Sequence, residues 1–190
     1  MLFKKMKSEK KILLMYFLPR ILLSRIRNFI FSIAFKSNRS VFCEGLYFSG
    51  SKKIKFGNDV SIGRYCWFDA IDNGNIIIGD RVSFSQGVHI AAKENVEIKD
   101  DVLVGSYVLI TDHDHEFSEG YLHTPPKSRP LKVKGKTVIE SNVWLGDNVK
   151  VLSGSFIGEC SVVAANSVVN GRFPSRSLIG GTPAKIIRRL

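Results

Sequence analysis

An all-β chain wound as a parallel coil of six-residue rungs, entered through a basic helical arm, is the fold this sequence predicts. Three observations predict it. Apolar residues recur at every sixth position along most of the chain. The register slips only after every third mark. The first forty residues differ chemically from everything after them.

The arm comes first. Residues 1–40 hold ten Lys or Arg (Lys4, Lys5, Lys7, Lys10, Lys11, Arg20, Arg25, Arg27, Lys36, Arg39) against the single acid Glu9. That is +9 of a total net charge of +11, so residues 41–190 carry only +2. Ile12 to Leu18 is an unbroken apolar run, followed by Pro19 and then Ile21 to Phe35. On a helix, Leu22, Ile26, Phe29 and Ile33 line up, flanked by Leu23 and Ile30; Arg20, Ser24, Arg27 and Asn28 fall opposite. Seven apolar residues in a row are far too few to span a bilayer. Charges recurring within the apolar stretch, with no small-residue cleavage site after it, argue against a secretory signal. A helix with an apolar face and cationic flanks suits the surface of an anionic membrane. Packing on its own body or on a neighbouring subunit is the competing reading. Nucleic acid is not an expected partner, because the body has no basic stripe.

The coil follows. Ile139, Leu145, Val151, Ile157, Val163 and Val169 are six apart without a break. Two residues before each stand Thr137, Val143, Val149, Ser155, Ser161 and Ser167, all small or β-branched. Upstream the marks are Phe56, Ile62, Phe68; Ile78, Phe84, Ile90; and Ile98, Val104, Ile110. Neither an α-helix nor a simple strand gives this spacing. Period six with small residues at the turns predicts a hexapeptide β-helix whose marks stack from coil to coil. Insertions after every third mark predict a three-sided coil whose loops leave from one edge. The open ends need covers, for which the arm and the tail 172–190 are available. The expected divisions are 1–40, 41–171 with a loop at 112–136, and 172–190.

Between Ile110 and Ile139 the period fails, and long loops in compact repeats are commonly functional. This excursion holds His113, His115 and His123, and His89 lies one coil earlier. Metal ligation by His-x-His with nearby acids is one reading, but the pair stands closer together than in the γ-class carbonic anhydrases. A solvated structural loop is a second. A histidine general base is the third and best, since a neutral imidazole can take a hydroxyl proton near neutral pH. Either Asp112 or Asp114 could orient it. Three scattered cysteines (Cys43, Cys66, Cys160) with no CxxC argue against disulfides and a thiolate zinc site, and for a reducing compartment. Hydrophobic residues at 44% and charged residues at 24% exclude disordered and collagen-like chains.

Several stretches together resemble a known family. They are the six-residue marks, Thr111-Asp112-His113, Ser128-Arg129-Pro130-Leu131, Asn142-Val143-Trp144-Leu145-Gly146, and the closing Gly180-Gly181-Thr182-Pro183-Ala184-Lys185-Ile186-Ile187-Arg188. From about Ile54 to Arg189 the chain is similar to the left-handed β-helix O-acetyltransferases. Within them it looks closest to the branch of galactoside, maltose, O-antigen and exopolysaccharide enzymes. The resemblance implies a left-handed parallel β-helix, a homotrimer, acetyl-CoA as co-substrate and no metal. It implies His113 as catalytic base for direct transfer without an acyl-enzyme. It places CoA contacts at Trp144, Asp147, Ala165, Asn170, Gly171, Lys185 and Arg188. Acceptor contacts fall at Asp69, Ser85, Gln86, His89 and His115. Gly171 stands where relatives often have Lys, and Ser85 where the galactoside enzymes have Asn. With the arm, the expected acceptor is a sugar hydroxyl of a bacterial surface polysaccharide, carried on lipid at the cytoplasmic face of the membrane. A small soluble acceptor (free sugar, nucleotide-sugar amine or antibiotic) is the runner-up, and a non-enzymatic scaffold the third reading.

Overall fold

The computed structural model describes residues 2–190; the side chains of residues 1–17 and of residue 20 lie outside the described set. Lys4, Lys5, Lys7, Glu9, Lys10, Lys11, Arg20 and the Ile12–Phe17 part of the apolar run therefore enter as sequence only. One helix, α1 (Leu2–Phe35), precedes a coil of short strands. Those strands line up as three parallel sheets of eight, six and six strands, the eighth strand of the first being antiparallel.

Face one carries Phe42, Ile62, Phe84, Val104, Leu145, Val163 and Ile179 in register. Face two carries Phe48, Phe68, Ile90, Ile110, Val151 and Val169. Face three carries Phe56, Ile78, Ile98, Ile139, Ile157 and Phe173. Every mark read from the sequence points inward, and none is more than 7% exposed. Burying each such side chain contributes about 1.5–3 kcal/mol, so the period is what holds the coil closed.

The chain turns three corners per coil. Non-glycine residues adopt left-handed backbone repeatedly at two of them, as at Asp59, Arg81 and Asp101 between faces three and one and at Tyr65 and Tyr107 between faces one and two, and at Asp72 between faces two and three. The corner between faces two and three takes every slip in register: Phe48 to Phe56, Phe68 to Ile78, Ile90 to Ile98, and Ile110 to Ile139. All insertions thus leave one edge, which is the three-sided arrangement the sequence pattern predicts.

Two coil segments lie beyond the marks read from the sequence. Phe42 and Phe48 begin a coil below Ile54, and Arg172–Phe173 with Ser177–Gly181 continue the stack above residue 171. A four-residue step from Val169 to Phe173 breaks the phase there, although Ile179 still stacks on Val163.

The helix covers the open end. Phe31 and Phe35 meet Phe42, Phe48 and Phe56 with ring centroids 4.9–6.1 Å apart. Arg27 Nε donates to the Phe42 carbonyl at 2.6 Å, and the Phe42 amide donates to Asn28 Oδ1 at 3.0 Å. Both backbone groups of an edge strand are satisfied by the helix, which blocks pairing there. The opposite helix face, with Leu22, Ile26, Phe29 and Ile33, is exposed in the subunit. No helix among the described residues is long and apolar enough to cross a membrane.

Candidate active site

The 29-residue step from Ile110 to Ile139 forms a hairpin at the corner between faces two and three. His113–His115 pairs antiparallel with Leu131–Val133, and two 3-10 turns close the far end. Arg129 gathers the hairpin by donating to the carbonyls of Thr124 at 2.8 Å, Leu122 at 3.2 Å and Glu116 at 3.5 Å. The Glu116 carboxylate accepts the amides of Phe117 and Ser118 at 2.9 Å and meets Lys132 Nζ at 3.2 Å. These hydrogen bonds, led by the one from Ser118, hold its pKa down at about 2.

His113 leaves the coil at the root of this hairpin. Its Nδ1 lies 3.0 Å from Asp112 Oδ1 and 3.1 Å from Thr111 Oγ1. Asp112 is fully buried and also accepts the amides of Lys93, Glu94 and Asn95, each at 2.7 Å. Burial works against its charge, but the bonds from His113 and the three amides outweigh it and hold the carboxyl below its ordinary range. A buried carboxylate fixes the tautomer with the proton on Nδ1, leaving the Nε2 lone pair free. Of the two acids that could orient the base, the geometry selects Asp112. Asp114 turns away to Lys134 Nζ at 3.0 Å.

His115 and His123 are exposed on the hairpin and take no part in this arrangement. Asp69 and His89 lie on face two, in the two coils before His113. The ring of His89 stacks on Trp67 at 4.5 Å and 16°. Burial pushes its pKa down, with Asp69 opposing and His113 reinforcing the shift. Ser85 and Gln86 do not share the edge of His113. The strand of face two runs between them, so they sit at the corner between faces one and two. Cys66 packs inside the coil: burial pushes its thiol up to about 11, and Sγ donates to the Ser85 carbonyl at 3.2 Å.

The residues expected to hold CoA divide in the same way. Trp144, Asp147 and Ala165 line one cavity of about 270 Å³ together with Gly146 and Val162–Ala164, at the end of face one and its corner with face two. Lys185 and Arg188 are exposed on the last strand, Ala184–Arg189, beside this corner. Asn170 and Gly171 instead lie after Val169, at the corner of His113. One subunit therefore carries the residues expected to hold CoA at two corners, separated by the width of face two.

A three-sided parallel β-helix with one hairpin excursion and a buried Asp–His pair at its root defines a class, the hexapeptide-repeat transferases. The family described as bacterial transferase hexapeptide (six repeats) matches residues 136–171. Escherichia coli (strain K12) WbbJ, named for O-acetyl transfer in lipopolysaccharide biosynthesis, is 37% identical over 171 residues, covering 86% of each chain. The galactoside O-acetyltransferase of Lactococcus lactis is 32% identical over 59% of this chain and 55% of its own. Among solved structures, the acetyltransferase VCA0836 of Vibrio cholerae, complexed with acetyl coenzyme A, is 28% identical over 81% of this chain and 69% of its own, with TM-score 0.59. The Bacillus cereus N-acyltransferase AntD, in complex with dTDP and 3-hydroxybutyryl-CoA, shares the fold at 20% identity and TM-score 0.74, over 86% of this chain and 87% of its own. This chain belongs to the hexapeptide-repeat acetyltransferase family and is an acyltransferase of left-handed β-helix fold.

Proposed function

We propose that the protein transfers acetyl from acetyl-CoA to a sugar hydroxyl of a lipid-linked bacterial surface polysaccharide, as a homotrimer resting on the cytoplasmic face of the membrane. The observation that carries this reading is His113, held through Nδ1 by the buried Asp112 with Nε2 free. Nε2 takes the acceptor hydroxyl's proton as the oxygen attacks the thioester carbonyl. The tetrahedral intermediate collapses, the C–S bond breaks, and the imidazolium returns the proton to the departing thiolate. Asp112 stays ionised throughout and stabilises the imidazolium. Trp144, Asp147 and Ala165 line the pantetheine path, and Lys185 and Arg188 meet the phosphates as cations. The separation of the two corners supports assembly, because the corner of Trp144 in one subunit can face the corner of His113 in the next.

The acceptor class rests on the similarity to WbbJ and on the exposed apolar face of α1 beside a strongly basic segment. The decisive experiment is an acceptor screen with acetyl-CoA, including lipid-linked saccharides and nucleotide-sugar amines, read by mass spectrometry of the product. His113→Ala in the same screen is expected to lower kcat by about 100-fold or more, with acetyl-CoA binding retained. Near-normal turnover by His113→Ala, with loss in His115→Ala or His123→Ala, would move the base elsewhere in the hairpin.

A further inference from the structure

The net charge of the chain is confined to one end of the coil. Residues 1–56, which make up α1, the turn after it and the first coil, carry all of the +11, while residues 57–190 hold 15 basic and 15 acidic side chains. To the basic arm the first coil adds Lys52, Lys53 and Lys55 against Glu44 alone. α1 lies across this end of the coil. Phe35 meets the first residue in the inward stack of every face, with ring centroids 6.1 Å from Phe42, 4.9 Å from Phe48 and 5.0 Å from Phe56. Arg27 and Asn28 bond the outer edge of the first strand at one side of the triangle. The coil end is thus closed by a helix whose opposite side, with Leu22, Ile26, Phe29 and Ile33, is apolar and exposed.

This polarity runs along the coil axis, so packing coils side by side preserves it. In the homotrimer proposed above, a three-fold axis parallel to the coils puts three such ends on one side. An anionic bilayer is the partner that this end fits. Its surface attracts the basic residues, and an apolar helix face enters the boundary between headgroups and acyl chains. The remainder of the coil has no net charge to compete for the surface. One orientation follows: α1 flat in the interface, and the coil axis along the bilayer normal.

We infer that the enzyme stands upright on the membrane and acetylates a ring several sugars out from the lipid, so that its acceptor is a lipid-linked oligosaccharide and not a single sugar joined to the lipid. This rests on the membrane-bound transferase reading above and gives the length of its acceptor. The coil acts as the ruler. Phe48, Phe68, Ile90 and Ile110 stack in register along face two, and His113 leaves the coil of Ile110, three steps above the first. Steps of about 4.8 Å put it about 14 Å above the first coil. Beneath that coil, α1 adds about 10 Å, the width of a helix with its side chains. The height of about 24 Å exceeds a headgroup layer of about 5–7 Å by roughly 17 Å. A sugar joined directly to the lipid cannot cross that gap, whereas a chain of several sugars can. The acetyl transfer therefore follows the glycosyl transfers that lengthen the saccharide on its lipid.

Lys55 and Arg172 stand in one outward column of face three, five steps apart, so labels at these positions report height. In a chain with Cys43→Ser and Cys160→Ser, either Lys55→Cys or Arg172→Cys takes a fluorescent donor, while Cys66 stays buried. Energy transfer is read to an acceptor dye on the headgroups of phosphatidylethanolamine vesicles containing phosphatidylglycerol. Strong transfer is expected from position 55 and far weaker transfer from position 172, a difference matching about 24 Å of height. Equal transfer from both, or stronger transfer from position 172, means a coil lying flat or inverted and overturns the inference. Wild type that stays off the vesicles overturns it together with the membrane reading. Lipid-linked saccharides extracted from a bacterium that carries this protein are then supplied in the same vesicles with acetyl-CoA. Tandem mass spectrometry is expected to find acetyl several rings from the lipid and none on the ring joined to it. Acetyl on the lipid-proximal ring overturns the acceptor length. If the chain stands upright yet acetylates none of them, the stance holds and the sugar-acetyltransferase reading falls.

Discussion

Asp112 does two things with one carboxylate: it caps three amides of the preceding turn, and it holds Nδ1 of His113. Asp112→Asn removes the charge and puts an NH2 group where only acceptors fit. The expected kinetic result is a kcat lower by about 100-fold or more, with KM for acetyl-CoA little changed. A stability effect comes with it. The folded-state pKa of Asp112 is depressed below an unfolded value of about 3.9. Its contribution is therefore complete above that value and lost as pH falls through the folded-state value. Wild type should lose stability more steeply than Asp112→Asn below about pH 4, measured by denaturant unfolding across pH. Parallel acid limbs would mean that Asp112 is not the coupled group. The candidate base was legible from the sequence because a six-residue period interrupted once isolates the loop that holds it. Its orienting acid was not. Asp112 and Asp114 flank His113 symmetrically in sequence, and only the corner geometry buries one and sends the other to Lys134.

The strands were legible almost to the residue, because each mark has one inward direction and a coil closes only if all marks obey it. The first coil escaped although Phe42 and Phe48 are also six apart, since two marks next to an apolar arm do not stand out from it. The stacking of His89 on Trp67 escaped for a related reason: the two are about twenty residues apart, and only the register of the coils brings them together. The last strand, Ala184–Arg189, leaves the period altogether by turning back antiparallel on Ser177–Gly181. It presents Lys185 and Arg188 to solvent near Trp144 and Ala165. Replacing both cations by Ala is expected to raise KM for acetyl-CoA while sparing acetyl-pantetheine, which lacks the nucleotide phosphates. An equal loss with both donors would make the strand a cover for the last coil and nothing more.

The division of the site between two corners has a consequence for the assembled molecule. If His113 of one subunit works with Trp144, Lys185 and Arg188 of the next, His113→Ala and the Lys185→Ala/Arg188→Ala double variant each spoil a different half. Refolding them together should then restore part of the activity that neither homo-oligomer has. Activity no greater than the sum of the two would place both halves in one subunit. The helix extends the same question to the membrane. Removing residues 1–36 would be the direct test of the arm, but Arg27, Asn28, Phe31 and Phe35 cover the first coil. Deletion would expose Phe42, Phe48 and Phe56 and confound anchoring with folding. Replacing Leu22, Ile26, Phe29 and Ile33 by Gln alters only the exposed face. Basic residues within a Debye length of an anionic surface contribute about 1 kcal/mol each, and the arm offers several beside that apolar face. Wild type should therefore sediment with phosphatidylglycerol-containing vesicles at low salt and be partly released at high salt. The four-Gln variant should stay in solution, keep its oligomeric state, and keep its rate on a short water-soluble saccharide while losing most of its rate on a lipid-linked one. If the variant loses its oligomeric state instead, the apolar face belongs to a subunit contact, and the case for a lipid-linked acceptor loses its support from α1.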